Sequence, residues 1–224
     1  MARWKPDAPG RLIKAALALF EERGYEATTV AEIAESAGLT KRTFFRYFAD
    51  KREVLFVGSA ELQDLWVASV SEAPGEATAM GAIEAALDAV AQLFEERHPF
   101  ARVRAAIIAA NPELQERELI KLAKLAEAVA QALRTRGVAD PAATLTAQTG
   151  VTVFHDAFVR WIRQDDPKAL RRLMDESLAD LRAVVSERAG AASASPLSRP
   201  RPARDRAQRP DVEAPGAPTT PGAR

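Results

Sequence analysis

Hydrophobic positions recur at helical spacing along most of the chain, and no stretch alternates as a half-buried strand would. Over residues 11–23, Ile13, Ala16, Leu17 and Phe20 share one face, and Gly24 ends the pattern with Tyr25 as a plug. Val30, Ile33, Ala34 and Ala37 then form a stripe at i, i+3, i+4 and i+7. Thr29 and Glu32 at its start make a capping box, and Gly38 closes it. Thr40 caps a second short helix, Lys41 to Phe48, and Asp50 with Glu53 caps a third. That third pattern is expected to run unbroken through Val54, Leu55, Leu62 and Trp66 to about Val70. Further helices are expected over 77–97, 100–110, 112–136, 141–164 and 167–188. The last three follow Asn111-Pro112, Asp140-Pro141 and Asp166-Pro167, where a capping side chain precedes a proline that loses no needed N–H. The expected fold class is all-α.

Helix, glycine turn, helix over Thr29 to Arg52 is the arrangement that sets a recognition helix into a DNA major groove. The second helix sorts into four i, i+4 columns. Phe44 and Phe48 form the anchoring column, and Arg42 and Arg46 lie opposite. Lys41 with Phe45 and Thr43 with Tyr47 flank them. Positive charge suits phosphate, which supplies most sequence-independent DNA affinity. Arg, Lys and Thr read base edges, and an exposed Phe presses on a thymine methyl. A solvated basic helix would explain the charge, but not the double capping, turn glycine and exposed aromatics together.

The segment GYEATTVAEIAESAGLTKRTFFRYFADKREVLF strongly resembles the DNA-binding region of the TetR family, the tetracycline-repressor-like bacterial regulators. The resemblance covers Arg11 to Leu55. It implies phosphate contacts from Thr29, Tyr47 and Lys51, and base contacts from Lys41, Arg42, Thr43 and Phe45. Ala31 departs from relatives that carry a base-reading Arg there, which shifts the burden to Lys41 and Arg42. The resemblance also implies a homodimer on an operator in double-stranded DNA, with a small-molecule effector in a second helical domain.

The expected organisation is an arm over 1–9, a DNA-binding domain over 10–56, a helical effector-binding and dimerisation domain over 57–188, and a tail over 189–224. Candidate effector-lining residues are Trp66, Phe94, His98, Phe100, Arg104, Phe154 and Phe158, because pockets are mostly apolar with a few orienting polar groups. Ordinary core packing is the competing reading of each, and Arg104 is the first candidate partner for an acidic ligand. The last two helices, ~33 Å long each, suit a two-fold bundle between subunits. Phe158, Trp161, Leu178, Leu181 and Val185 are its candidate contacts. The tail holds half of the 14 prolines with clustered arginines and few large apolar residues, so disorder is expected there.

At 224 residues, 47% hydrophobic and 28% charged, the chain has ample material for a globular core. Its formal net charge of zero makes the basic helix a local feature. With no cysteine, it has no disulfide and no thiolate nucleophile or ligand. No apolar run approaches the ~20 residues that span a bilayer, and the N-terminus lacks a signal's apolar segment. A cytoplasmic location without a membrane partner is expected. The two histidines, His98 and His155, have no metal-ligand spacing, and no phosphate loop, dinucleotide fingerprint or nucleophile elbow occurs. No enzyme activity, cofactor or metal is therefore expected. The reading is a transcriptional repressor released by an effector; the alternative is a constitutive or architectural DNA-binding protein whose second domain only dimerises.

Overall fold

The computed structural model describes residues 7–193, with the side-chain surroundings of 7–186. Among the described residues the regular elements are all helical. Three short helices form a head: α1 (Ala8–Arg23), α2 (Val30–Ser36) and α3 (Lys41–Tyr47). Six further helices form a body: α4 (Ser59–Glu72), α5 (Ala79–Glu95), α6 (His98–Ala109), α7 (Pro112–Thr135), α8 (Asp140–Trp161) and α9 (Ala169–Ser193). The chain divides into two compact units, one ending at Val184 and one starting at Val185. Residues 185–193 of the second are helical, so helix extends past the expected end at 188. The remainder of the expected tail, and the arm over 1–6, lie outside the described residues.

The expected helix from Asp50 to Val70 is broken. Arg52–Phe56 forms a 3-10 segment, and α4 starts only after Gly58, whose φ of 86° an L side chain rarely adopts. Asp50 does cap, its Oδ1 accepting from the amides of Arg52 at 2.8 Å and Glu53 at 3.2 Å. Glu53 does not complete the box, because its carboxylate turns to Arg117 and Lys121 on α7.

The Asx-Pro signals mark helix starts, but by different bonds. Asn111 donates Nδ2 to the Ile107 carbonyl at 2.6 Å, closing α6 instead of opening α7. Asp140 is the first residue of α8, and its carboxylate meets Arg134. Asp166 accepts from the Lys168 amide at 3.0 Å.

Two apolar clusters hold this unit together. The body buries Trp66, Ile83, Leu87, Val90, Leu133 and Trp161, among others. Gly150 lets α8 approach α5 closely, since a Cβ there would stand 2.6 Å from Ile83 Cγ2. The head cluster joins Leu12, Phe20, Ile33, Phe44 and Leu55 to Ile107 and Ile108 of α6 and Leu114 of α7. Head and body thus share buried surface. Ile107 and Ile108 of α6 and Leu114 of α7 thus form part of the packing beneath α1, α2 and α3.

Candidate functional site

The turn between α2 and α3 is built as its sequence requires. Thr29 Oγ1 accepts from the Glu32 amide at 3.3 Å, and Glu32 Oε2 accepts from the Thr29 amide at 2.8 Å. The Thr29 hydroxyl and amide together hold the Glu32 carboxyl below its usual range. At the other end, Leu39 N donates to Ala34 O and Gly38 N to Glu35 O, both at 2.8 Å, a Schellman closure. Gly38 has φ 64°, and Arg11 reaches across from α1 to the carbonyls of Ala37 and Gly38. Thr40 then caps α3 by accepting from the Thr43 amide at 3.1 Å.

This scaffold decides which column of α3 faces inward. Phe44 is fully buried and Phe48 nearly so, their rings 5.3 Å apart. Lys41, Arg42 and Arg46 are exposed, with Phe45 at 49% and Tyr47 at 40% exposure. Lys41 lies 5.9 Å from the Phe45 ring, and Arg46 donates to the Tyr47 hydroxyl at 2.8 Å. The outer surface is therefore cationic and aromatic, with Thr43 half-buried between. Such a face can meet phosphates and base edges together. Arg46, placed in the basic column by sequence but not among the named contacts, belongs to it by exposure.

Lys51 is placed differently from the expectation. Its ammonium donates to the carbonyls of Tyr25 at 2.8 Å and of Glu26 and Thr28 at 3.3 Å, and sits 4.2 Å from the Tyr25 ring. An ammonium has three N–H donors, and these carbonyls can take all of them. Lys51 clamps the head from within while its side chain stays 22% exposed, a different role from a phosphate contact. Nothing in the sequence pattern distinguishes the two. Tyr25 itself is buried; burial and a hydrogen bond to Glu113 of α7 push its hydroxyl well above its ordinary pKa.

In the body, a cavity of about 240 Å3 opens among α4, α5, α6, α7 and α8. Of the expected lining residues, Phe94, Arg104, Phe154 and Phe158 are there. Leu62, Gln63, Glu118, Lys121, Leu122, Lys124 and His155 complete much of the wall. Phe100 lines a smaller neighbouring cavity of about 90 Å3, which Arg104 and Phe158 also touch.

Trp66 and His98 belong to the core instead. Trp66 is fully buried, edge-on to Phe154 at 6.3 Å, and its indole Nε1 has no acceptor among the described residues. His98 is buried against Trp161, rings 4.5 Å apart, with Nε2 3.4 Å from the Trp161 carbonyl oxygen.

The expected dimer contacts also divide. Trp161 and Leu178 are buried within their own chain, and Phe158 packs on Phe94, Phe154 and Trp161. Trp161 and Leu178 therefore have almost no surface left for a second subunit, whereas Phe158 is half-buried. Leu145 of α8 and Leu181 of α9 remain exposed on a groove that also includes Thr149, Thr152 and Asp180, and Val184 of α9 is exposed too. Val185, at the start of the second unit, is exposed as well. Among the described residues, no helix is long and apolar enough to cross a membrane, and no acidic or histidine cluster is arranged to hold a metal ion.

Comparison with known proteins follows the same division. The profile described as "Bacterial regulatory proteins, tetR family" matches residues 12–56, and that described as "MftR C-terminal domain" matches residues 77–186. The HTH-type transcriptional regulator TcmR of Streptomyces glaucescens is 39% identical over 80 residues, 36% of this chain and 35% of its own length. MftR of Mycobacterium tuberculosis is 27% identical over 172 residues, 74% of this chain and 85% of MftR. A crystal structure of a TetR-family chain from Mesorhizobium loti is 22% identical and has a TM-score of 0.50, covering 79% of this chain and 95% of that one.

Proposed function

The chain belongs to the TetR family of DNA-binding transcriptional regulators, and from that premise we propose a homodimeric repressor released from a palindromic operator by a small-molecule effector. The observation that carries this reading is α3. A seven-residue helix buries Phe44 and presents Lys41, Arg42, Phe45, Arg46 and Tyr47 outward. Arg42, Lys41, Thr43 and Phe45 contact bases, and Thr29, Arg46 and Tyr47 contact phosphates.

Dimerisation runs through the exposed apolar positions Leu145, Leu181 and Val184. Burial of such side chains between two copies supplies the association energy, at roughly 25 cal/mol for each Å2 of apolar surface removed from water. Two-fold symmetry then sets the recognition helices on half-sites about 34–36 Å apart or a multiple of that. The cavity favours a ligand-responsive protein over a constitutive one, since a body built only to dimerise needs no internal space. An effector there bears on α6 and α7, and Ile107, Ile108 and Leu114 carry that displacement into the head core.

The test is operator binding by fluorescence anisotropy with a duplex selected from a random pool. Arg42→Ala is expected to cost about 1–3 kcal/mol on that duplex and to relax base preference. Unchanged affinity and preference would remove α3 from the reading role.

A further inference from the structure

We propose that the body cavity takes an amphiphile with an anionic head group, and that this head draws Arg104 away from the Leu55 carbonyl, loosening the segment that follows the recognition helix. The inference rests on the reading of this cavity as the effector site. It goes further by assigning the chemistry of the ligand and the bond through which it acts.

The cavity lining is of two kinds. Phe94, Phe154, Phe158 and Leu122 offer an apolar surface. The same cavity is also lined by Arg104, Lys121 and Lys124, with Glu118 as the acidic member of the wall. Cations remain in excess when the surrounding network is included. Arg104 pairs with Glu118 at 2.8 Å, while Glu53 lies between Arg117 and Lys121. Arg117 Nε is buried without an acceptor among the described residues, and Lys124 has no ion-pair partner among them. Arg104, Arg117 and Lys121 all lie within 6 Å of the Phe56 ring centre, at 5.2, 5.9 and 5.9 Å. Like charges gathered this closely repel one another, and an entering anion relieves that repulsion. A neutral ligand gains nothing from it.

The same cations hold the head. Arg104 Nε donates to Leu55 O at 2.6 Å, and Glu53 is tied to α7 by Arg117 and Lys121. Leu55 and Glu53 lie in the 3-10 segment Arg52–Phe56, which begins a few residues after α3. Arg104 therefore has one edge on the DNA-binding head and another on the cavity wall. A guanidinium binds carboxylate or phosphate through a pair of parallel N–H bonds, stronger than a bond to a neutral carbonyl. Once Arg104 turns to the ligand, Leu55 O loses its donor and Lys121 is drawn from Glu53. The segment then keeps the Glu53–Arg117 pair and the Asp50 cap but loses its two other ties to the body. Carboxylate and phosphate heads share this chemistry, and the probes below separate them.

The experiment uses the full chain with decanoate, decyl phosphate and neutral 1-decanol, whose alkyl tails match. Affinity is read by calorimetric titration, and amide hydrogen exchange is followed across residues 52–57. At least one anionic probe is expected to bind about tenfold or more tightly than 1-decanol. The tighter of the two anions names the head group. The preference is expected to shrink several-fold in Lys121→Gln/Lys124→Gln, a variant that leaves the Arg104–Leu55 bond in place. Anion binding is expected to speed exchange over 52–57, and 1-decanol to leave it unchanged.

Equal affinity for 1-decanol, failure of both anions to bind, or an intact preference in the double variant would overturn the ligand class. Anion binding without faster exchange at 52–57 would overturn the loosening. Failure of the underlying reading looks different: every probe that binds, charged or neutral, would leave affinity for the selected duplex untouched.

Discussion

Lys51 lies with its ammonium 2.8 Å from the carbonyl oxygen of Tyr25 and 4.2 Å from the centre of the same residue's ring. One side chain thus ties the segment after α3 to the turn between α1 and α2. Removing it takes a donor from three carbonyls, of which that of Tyr25 still accepts from the Thr28 amide at 3.3 Å.

Lys51→Ala is therefore expected to lower the stability of the protein by about 1.5–3 kcal/mol, the usual contribution of a hydrogen bond to a charged group. Urea unfolding measures this. The salt dependence of DNA binding by the folded fraction is expected to stay at the wild-type slope. A slope reduced by about one, with unchanged stability, would return Lys51 to the phosphate contacts.

Arg46→Ala and Tyr47→Phe act in the opposite sense. Both side chains are exposed, so stability is expected to hold within about 0.5 kcal/mol. Affinity is expected to fall alike on all duplexes, with Arg46→Ala reducing the salt slope by about one. Titrations at several salt concentrations, on the selected duplex and a scrambled one, measure both effects.

Much of the head was legible because its signals are local. Thr29 with Glu32, Gly38 with Leu39, and the Phe44–Phe48 column each act within a few residues, and each has its expected geometry. What misled the reading is decided at longer range. Gly58 sits inside an apolar pattern that continues on both sides, and its positive φ at the N-cap of α4 interrupts the helix there. Helical spacing of Trp66, Phe154, Phe158 and Trp161 says that one face is buried, not what buries it. Core, cavity wall and subunit interface have the same period. The partners that separate them, such as His98 on Trp161 or Phe94 on Phe158, lie dozens of residues away in the chain.

That distinction gives a paired prediction for the dimer. Leu181 is 38% exposed and Leu145 64% exposed, so Leu145→Glu/Leu181→Glu is expected to give folded monomers. Leu178→Ala, at a buried position, is expected to cost about 2–5 kcal/mol of stability instead. Light scattering after size exclusion, with thermal unfolding beside it, separates the two. Folded dimers from the double glutamate variant would move the interface elsewhere.

Acid is expected to weaken the head caps. Glu32 is held below its usual pKa by Thr29. Asp50 is pushed up by burial, but the Arg52 side chain and the amides of Glu53 and Arg52 outweigh that and leave it lowered. For a depressed carboxyl, stability is present above the unfolded pKa, about 3.9 for Asp and 4.3 for Glu, and is lost as pH falls through the folded value. Urea midpoints are therefore expected to be flat from pH 7 to about 5 where these two groups are concerned, and to drop below about 4. In Asp50→Asn that acid drop is expected to be shallower.

The most direct measurement of sequence-specific reading by a two-fold dimer is selection of duplexes from a random pool, run in parallel on wild type and Arg42→Ala. The wild type is expected to enrich inverted half-sites with centres about 34–36 Å apart or a multiple of that. Arg42→Ala is expected to enrich the same spacing with base preference lost at one position of each half-site. A wild-type pool without an inverted repeat, or the same motif at full stringency from both proteins, would contradict it.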